Sequence, residues 1–173
     1  MLKIYTLCKK FINLKIKRPV YSSIVKLRAS KVGSNLKVNA KSTVSKNTVL
    51  GQNVNFNGVK ISGIGNVTIG DNFHSGPECI MISQNHNYDK GRAIPYDDTY
   101  IAKDIVIEDN VRIGSRVIIL GGITIGEGAI VQAGSVVVSN IPKYGIAGGH
   151  PAKVFKYRDK EHYEALKEQR KFH

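Results

Sequence analysis

From residue 105 onward the chain keeps a beat of six. The run IVIEDN VRIGSR VIILGG ITIGEG AIVQAG SVVVSN carries Ile107, Ile113, Ile119, Ile125, Val131 and Val137 at the third place of each block. The first place holds Ile105, Val111, Val117, Ile123, Ala129 and Ser135, apolar or small throughout. Gly, Asn, Asp and Glu crowd the last three places. Such a period fits neither an α-helix nor a coiled coil. It fits a short strand whose first and third residues point the same way, followed by a polar corner. Val, Ile and Thr suit strands, and Asn, Asp and Gly accept the positive φ of tight corners. One block cannot bury its own apolar pair, so blocks must stack. The pattern predicts an all-β fold, a parallel β-helix with side chains laddered inside a narrow prism. An open sandwich of short strands needs hairpin turns and imposes no fixed register of six.

The same period runs earlier. Val32, Val38, Val44, Leu50 and Phe56 stand six apart, with Leu36, Ser42, Thr48 and Val54 four residues after the first four. The register slips by two over 57–66, resumes at Val67, Ile69 and Phe73, and weakens through Ser75, Cys79 and Met81. Then MISQNHNYDKGRAIPYDD, residues 81–98, has no beat at all. A structureless insertion in a compact repeat fold calls for a functional reason. This one holds His86, and histidine ordinarily titrates where a general base must work. The ends differ again. Residues 1–28 carry Leu2, Tyr5, Leu7, Phe11, Ile12, Leu14 and Ile16 at spacings that predict one or two short basic helices, interrupted at Pro19. The tail YRDKEHYEALKEQRKFH is a good helix former. The expected plan is a basic helical segment over 1–31, a β-helix over 32–156 with a protruding loop at 84–104, and a C-terminal helix over 157–173. Both helices are suited to capping the open ends of the β-helix.

Charge sharpens this plan. Residues 1–70 contain 13 Lys or Arg and no acid, whereas residues 71–173 contain 13 of each, so the whole net charge of +13 belongs to the first 70. That asymmetry suggests a polyanionic partner. Nucleic acid is not expected, because no aromatics interleave the basic residues and no known binding module is present. An anionic membrane surface is the candidate partner of the basic segment. No apolar run is long enough to span a membrane, and Lys breaks the first residues too often for a signal peptide. Cys8 and Cys79 stand too far apart for a disulfide framework or a metal site, which points to a reducing cytosol.

The tandem VRIGSRVIILGGITIGEGAIVQAGSVVVSNIP followed by GIAGGHPAKVFK resembles the hexapeptide-repeat acyltransferases. Within them it looks like the galactoside, maltose and polysaccharide O-acetyltransferase branch. The resemblance covers about residues 32–156. It implies a single-stranded left-handed β-helix, a cytoplasmic homotrimer, acetyl-CoA as donor, and active sites in clefts between subunits. The catalytic role falls on His86 in SQNHNYD, as general base in a direct transfer. No metal is expected, no metal-ligand spacing is present, and no Gly-x-Ser-x-Gly nucleophile turn occurs. Family positions for the donor map onto Ser115, Ala133, Gly134, Gly148, Lys153 and Lys156, the two lysines approaching the CoA phosphates. Arg112 stands where many relatives have an aromatic residue, and Ser139 where a Lys is frequent. Asn55 is the candidate acceptor contact, with Asn57 next. Asn85 is a second such candidate; it, Asp97 and Asp98 are alternatives for orienting His86. The expected activity is O-acetylation of a sugar hydroxyl on a bacterial surface polysaccharide or its precursor. N-acetylation of an amino-sugar nucleotide and a non-catalytic assembly module are the alternatives.

Overall fold

The structure, a computed structural model, describes residues 11–172. The chain winds through six turns of a parallel β-solenoid, as expected for a left-handed β-helix. The first turn has β1 (Lys31–Val32) and β2 (Lys37–Ala40). The second has β3 (Thr48–Leu50), β4 (Asn55–Asn57) and β5 (Val59–Ser62), and the third has β6 (Val67–Ile69), β7 (His74–Ser75) and β8 (Cys79–Ile82). A ribbon of β9 (Gln84–His86) and β10 (Tyr100–Ala102) then leaves the coil. Winding resumes with β11 (Ile105–Ile107), β12 (Arg112–Ile113) and β13 (Ile118–Leu120), then β14 (Ile123–Ile125), β15 (Ile130–Val131) and β16 (Val136–Val137). It closes with β17 (Gly145–Gly149) and β18 (Ala152–Tyr157). Strands of successive turns stack into three sheets. Sheet A is β1-β3-β6-β11-β14, sheet B is β2-β4-β7-β12-β15-β17-β18, and sheet C is β5-β8-β13-β16.

The beat of six is this geometry. The first and third place of every block from 105 to 137 is buried. Register makes them ladders: Val38, Phe56, Ser75, Ile113, Val131 and Ala147 stack in sheet B, and Ile61, Met81, Ile119 and Val137 stack in sheet C. The weak places are filled by their neighbours. Phe56 and Phe73 meet edge to face at 5.9 Å in the turns beside the small Ser75, a favourable aromatic arrangement. The buried hydroxyls are all bonded, as burial demands. Ser75 Oγ accepts from Asn57 N at 3.1 Å, Ser42 Oγ from Val59 N at 3.1 Å, and Ser135 Oγ from Gly149 N at 3.2 Å. At the slip over 57–66 the second turn reaches sheet C early. Phe56 and Val59 are both buried, with Gly58 at φ 109° between them, and Gly63 at φ 116° opens a longer corner before Val67.

Three corners separate the sheets. Between A and B, Asn35, Asn53, Asn72 and Asn110 take positive φ. Each of the first three donates its side-chain amide to the next at 2.8, 3.0 and 2.9 Å, and Asn110 donates to Tyr163 Oη at 2.9 Å. Between B and C stand Gly114-Ser115-Arg116 and Gln132-Ala133-Gly134, and a Cβ on Gly114 would lie 2.4 Å from Ala133 N. The ribbon leaves at the corner between C and A.

Both ends depart from expectation. The helical run continues through Pro19: a π-helical stretch, Asn13–Lys17, passes into α1 (Arg18–Arg28). Pro19 sits just after the π-helical turn, the kind of local adjustment that lets a helix run past a residue with no N–H to donate. Residues 1–10, including Leu2, Tyr5, Leu7 and Cys8, lie outside the described residues. Helix α1 covers the first turn, burying Val25 completely, and its Ser22 Oγ accepts from Val38 N at 3.2 Å. Helix α2 (Lys160–Glu168) caps no open end. The last turn is paired instead by β18, antiparallel to β17, and α2 folds back against the asparagine corner.

Candidate active site

His86 ends β9, where the ribbon pairs antiparallel and sets Tyr100 opposite it. The insertion is therefore ordered at its base rather than structureless. Tyr96 stacks on the imidazole at 3.7 Å between centroids, and Tyr100 leans on it at 4.6 Å. His86 Nδ1 is buried and makes no hydrogen bond among the described residues. Neither Asn85, Asp97 nor Asp98 therefore orients the ring from within the chain. Asn85 alternates to the opposite face of the strand and is exposed. Asp97 instead clips the loop: its carboxylate accepts from Arg92 N at 2.8 Å, Thr99 N at 2.9 Å and Thr99 Oγ1 at 2.5 Å. The Thr99 bonds and that of Arg92 hold its carboxyl below the usual range.

The donor candidates gather elsewhere. Ser115, Ala133, Gly134 and Gly148 lie on successive turns of the corner between sheets B and C: Gly134 N donates to Ser115 O at 2.8 Å, and Gly148 packs against Gln132. Nothing lies within 4 Å of where a Gly134 Cβ would point, so the exterior of this corner is open. Lys153 pairs with Gly148 at its end. Lys156 pairs with Ile146 and turns onto the outer face of sheet B. There a row runs across the register: Asn55, His74, Arg112, Ile130, Ile146 and Lys156. Helix α2 roofs this row to make a cleft of about 770 Å³, and His86 does not line it. Arg158 lies in it with Arg112, and burial and that like charge push its guanidinium down.

Asn55 lines this cleft with its Oδ1 taken by Asn39 at 2.7 Å. Asn57 faces a second cleft, of about 560 Å³, lower on the donor corner beside Glu78 and Cys79. It is held by Asn39 at 2.9 Å and donates to Ser75 O at 2.6 Å. The Cys79 thiol in that cleft is pushed up by burial, which leaves it inert. Ser139 is exposed on the corner that carries the ribbon. Among the described residues no group of three His, Cys, Asp or Glu is placed to hold a metal.

Sequence reasoning did not find the two tyrosines on His86 or the Asp97 clip. Their signal was present, in two aromatics and an acid spaced along an otherwise unpatterned loop. The anchor of α2 also escaped it. Glu127 accepts from Lys167 at 2.5 Å and Tyr163 at 3.1 Å and pairs with Lys143 at 2.9 Å. Burial opposes its charge, but those three donors win and hold its carboxyl at about 2.

Two solved structures share this architecture. A galactoside acetyltransferase in complex with coenzyme A aligns over 93% of this chain and 82% of its own, with 30% identity and a TM-score of 0.72. The chain belongs to the hexapeptide-repeat acyltransferase family. A profile described as bacterial transferase hexapeptide (six repeats) matches residues 104–139. The second structure, the hexapeptide-repeat acetyltransferase VCA0836 of Vibrio cholerae complexed with acetyl-CoA, covers 86% of this chain and 82% of its own at 29% identity and a TM-score of 0.70. The 2,3,4,5-tetrahydropyridine-2,6-dicarboxylate N-acetyltransferase of Staphylococcus aureus is 46% identical over 55 residues, 32% of this hexapeptide-repeat chain and 23% of that protein. The chain spans less than half the length of the curated relatives it matches, 41% for one from Schizosaccharomyces pombe.

Proposed function

We propose that the protein transfers an acetyl group from acetyl-CoA to a sugar hydroxyl of a bacterial surface polysaccharide or its precursor, working as a homotrimer in the cytoplasm. One observation carries this reading. The chain matches a galactoside acetyltransferase bound to coenzyme A over 93% of its length; beside it, the corner that carries Ser115, Ala133, Gly134 and Gly148 is open at Gly134, room that the proposed donor arm would use.

His86 and that corner stand at opposite ends of the strands of sheet C, a strand's length apart. A single copy therefore holds two halves of a site. The outer face of sheet C supports pairing of copies. Ile80, Ile118 and Val136 line up across its register, and Leu120 and Val138 are exposed beside them, a patch of the kind that marks an interface. In the assembled site the ribbon of one copy meets the donor corner of the next.

There His86 Nε2 accepts the proton of the acceptor hydroxyl as its oxygen attacks the thioester carbonyl; the tetrahedral intermediate then collapses with cleavage of the C–S bond, and CoA leaves as the thiol, taking the proton back from His86. Tyr96 and Tyr100 fix the plane of the ring. Positioning of both substrates supplies most of the rate, and donors on the open corner face the developing oxyanion. The chain supplies one base and needs no acyl-enzyme. Lys153 and Lys156 receive the phosphates of the donor. Asn55 and Asn85 are the proposed acceptor contacts, and Asn57 joins them on the donor corner.

The match to an N-acetyltransferase of Staphylococcus aureus favours a second reading, transfer to an amine rather than a hydroxyl, with an amino-sugar nucleotide as the acceptor to test. Incubating the full chain with acetyl-CoA and a panel of sugars and amino sugars, and following thiol release, separates the two. Turnover confined to amino sugars overturns O-acetylation. Neither turnover nor CoA binding leaves a non-catalytic module.

A further inference from the structure

We propose that the outer face of α1 seats the protein on an anionic bilayer surface. Val25, Ser22 and Arg18 face the solenoid, and Arg18 Nε donates to Asn39 Oδ1 at 2.7 Å. Val20, Ile24 and Leu27 fall at i, i+4 and i+7, one stripe on the opposite side of the helix. They are 51%, 43% and 87% exposed. Phe11, Ile12, Leu14 and Ile16 extend the exposed apolar surface toward the chain's start. A soluble helix keeps its outward side polar, so this one presents apolar surface on both sides.

Charge selects the occupant. Lys17 and Arg28 flank one edge of the stripe and Lys26 the other, all exposed. No acid precedes Asp71 anywhere in the sequence. Stacking the stripe on a second copy would bring these like charges together, which disfavours such a pairing. A nucleic acid would satisfy the lysines but leave Leu27, Ile24 and Val20 in water. An interface of anionic headgroups takes both, with the apolar stripe among the acyl chains and the cations at the phosphates. The helix covers the first turn of the solenoid, so the docking surface is an end of the molecule, away from the last turns that carry Gly148 and Lys153. The inference does not depend on the transfer reaction, because its readout is lipid binding.

The test floats the full-length protein with vesicles of phosphatidylcholine alone and of equal parts phosphatidylcholine and phosphatidylglycerol. Flotation with the mixed vesicles, and its loss at high salt, is the expected result. Two variants read the two components, and both change only exposed side chains, so unchanged melting curves report an intact fold. Val20→Ser/Ile24→Ser/Leu27→Ser is expected to weaken vesicle binding at least about tenfold. Lys26→Glu/Arg28→Glu is expected to weaken it more than about tenfold, since each cation at such a surface is worth about fivefold. Equal flotation on both vesicles, no flotation, or a triple serine variant that floats like the wild type overturns the proposal. So does a triple variant that changes the sedimentation coefficient in the absence of lipid, since the stripe would then join copies of the chain.

Discussion

At the scale of single residues, His86 is defined by what surrounds it. Two tyrosine rings hold its plane, and its buried Nδ1 finds no partner among the described residues. In the proposed mechanism Nε2 is then the working nitrogen. His86→Ala is expected to lower the rate of thiol release by about 10²–10⁴, the usual worth of a general base, while leaving CoA binding unchanged. Calorimetric titration with CoA checks the second half. Full activity in this variant removes His86 from the mechanism. The histidine itself was legible as a candidate, because the one histidine inside a break in a strict repeat stands out. Its ring partners were not. Stacking by Tyr96 depends on how an unpatterned loop folds back on itself, and periodicity carries no information about that.

Among elements, the strands were the most legible part. Each hexad places its first and third side chains inward, so Ile105 to Val137 could be assigned to the core one by one. Ile119→Ala is accordingly expected to cost about 2–5 kcal/mol by denaturant unfolding, the range for a fully buried Ile. Ala133→Tyr, on the exposed donor corner, should cost within about 0.5 kcal/mol. Equal effects would mean that the inward and outward places are misassigned. The helices were less legible. The composition of α2 announced a helix but not its berth, which is fixed by Tyr163, Lys167 and Lys143 meeting Glu127. These contacts join residues far apart in sequence. They also predict a pH dependence. The Glu127 carboxyl sits at about 2 when folded against an ordinary 4.5. Its stabilisation is complete above about 4.5 and disappears as pH falls toward 2. Glu127→Gln is expected to lower stability by about 1–2 kcal/mol at neutral pH and to flatten the acid limb of stability between those values. An acid limb identical to that of the wild type would contradict the assignment.

For the molecule as a whole, three corners divide the work. The asparagine ladder between sheets A and B anchors α2, the small-residue corner between B and C stays open, and the corner between C and A carries the ribbon with His86. The repeat made the solenoid legible from the sequence, yet it said nothing of the separation of His86 from the donor corner, because that depends on which sheet edge each block reaches. This separation is the core of the proposed function, in which the site is built from two copies. Co-expression of His86→Ala and Ala133→Tyr chains carrying different tags, followed by purification through both tags, tests it directly. The first lacks the base, and the second blocks the donor corner. Each alone is expected to be inert, and the mixed oligomers are expected to recover part of the wild-type thiol release, since the ribbon of an Ala133→Tyr chain then faces the open corner of a His86→Ala chain. Mixed oligomers as inert as their parents would contradict the account and return both halves of the site to a single chain.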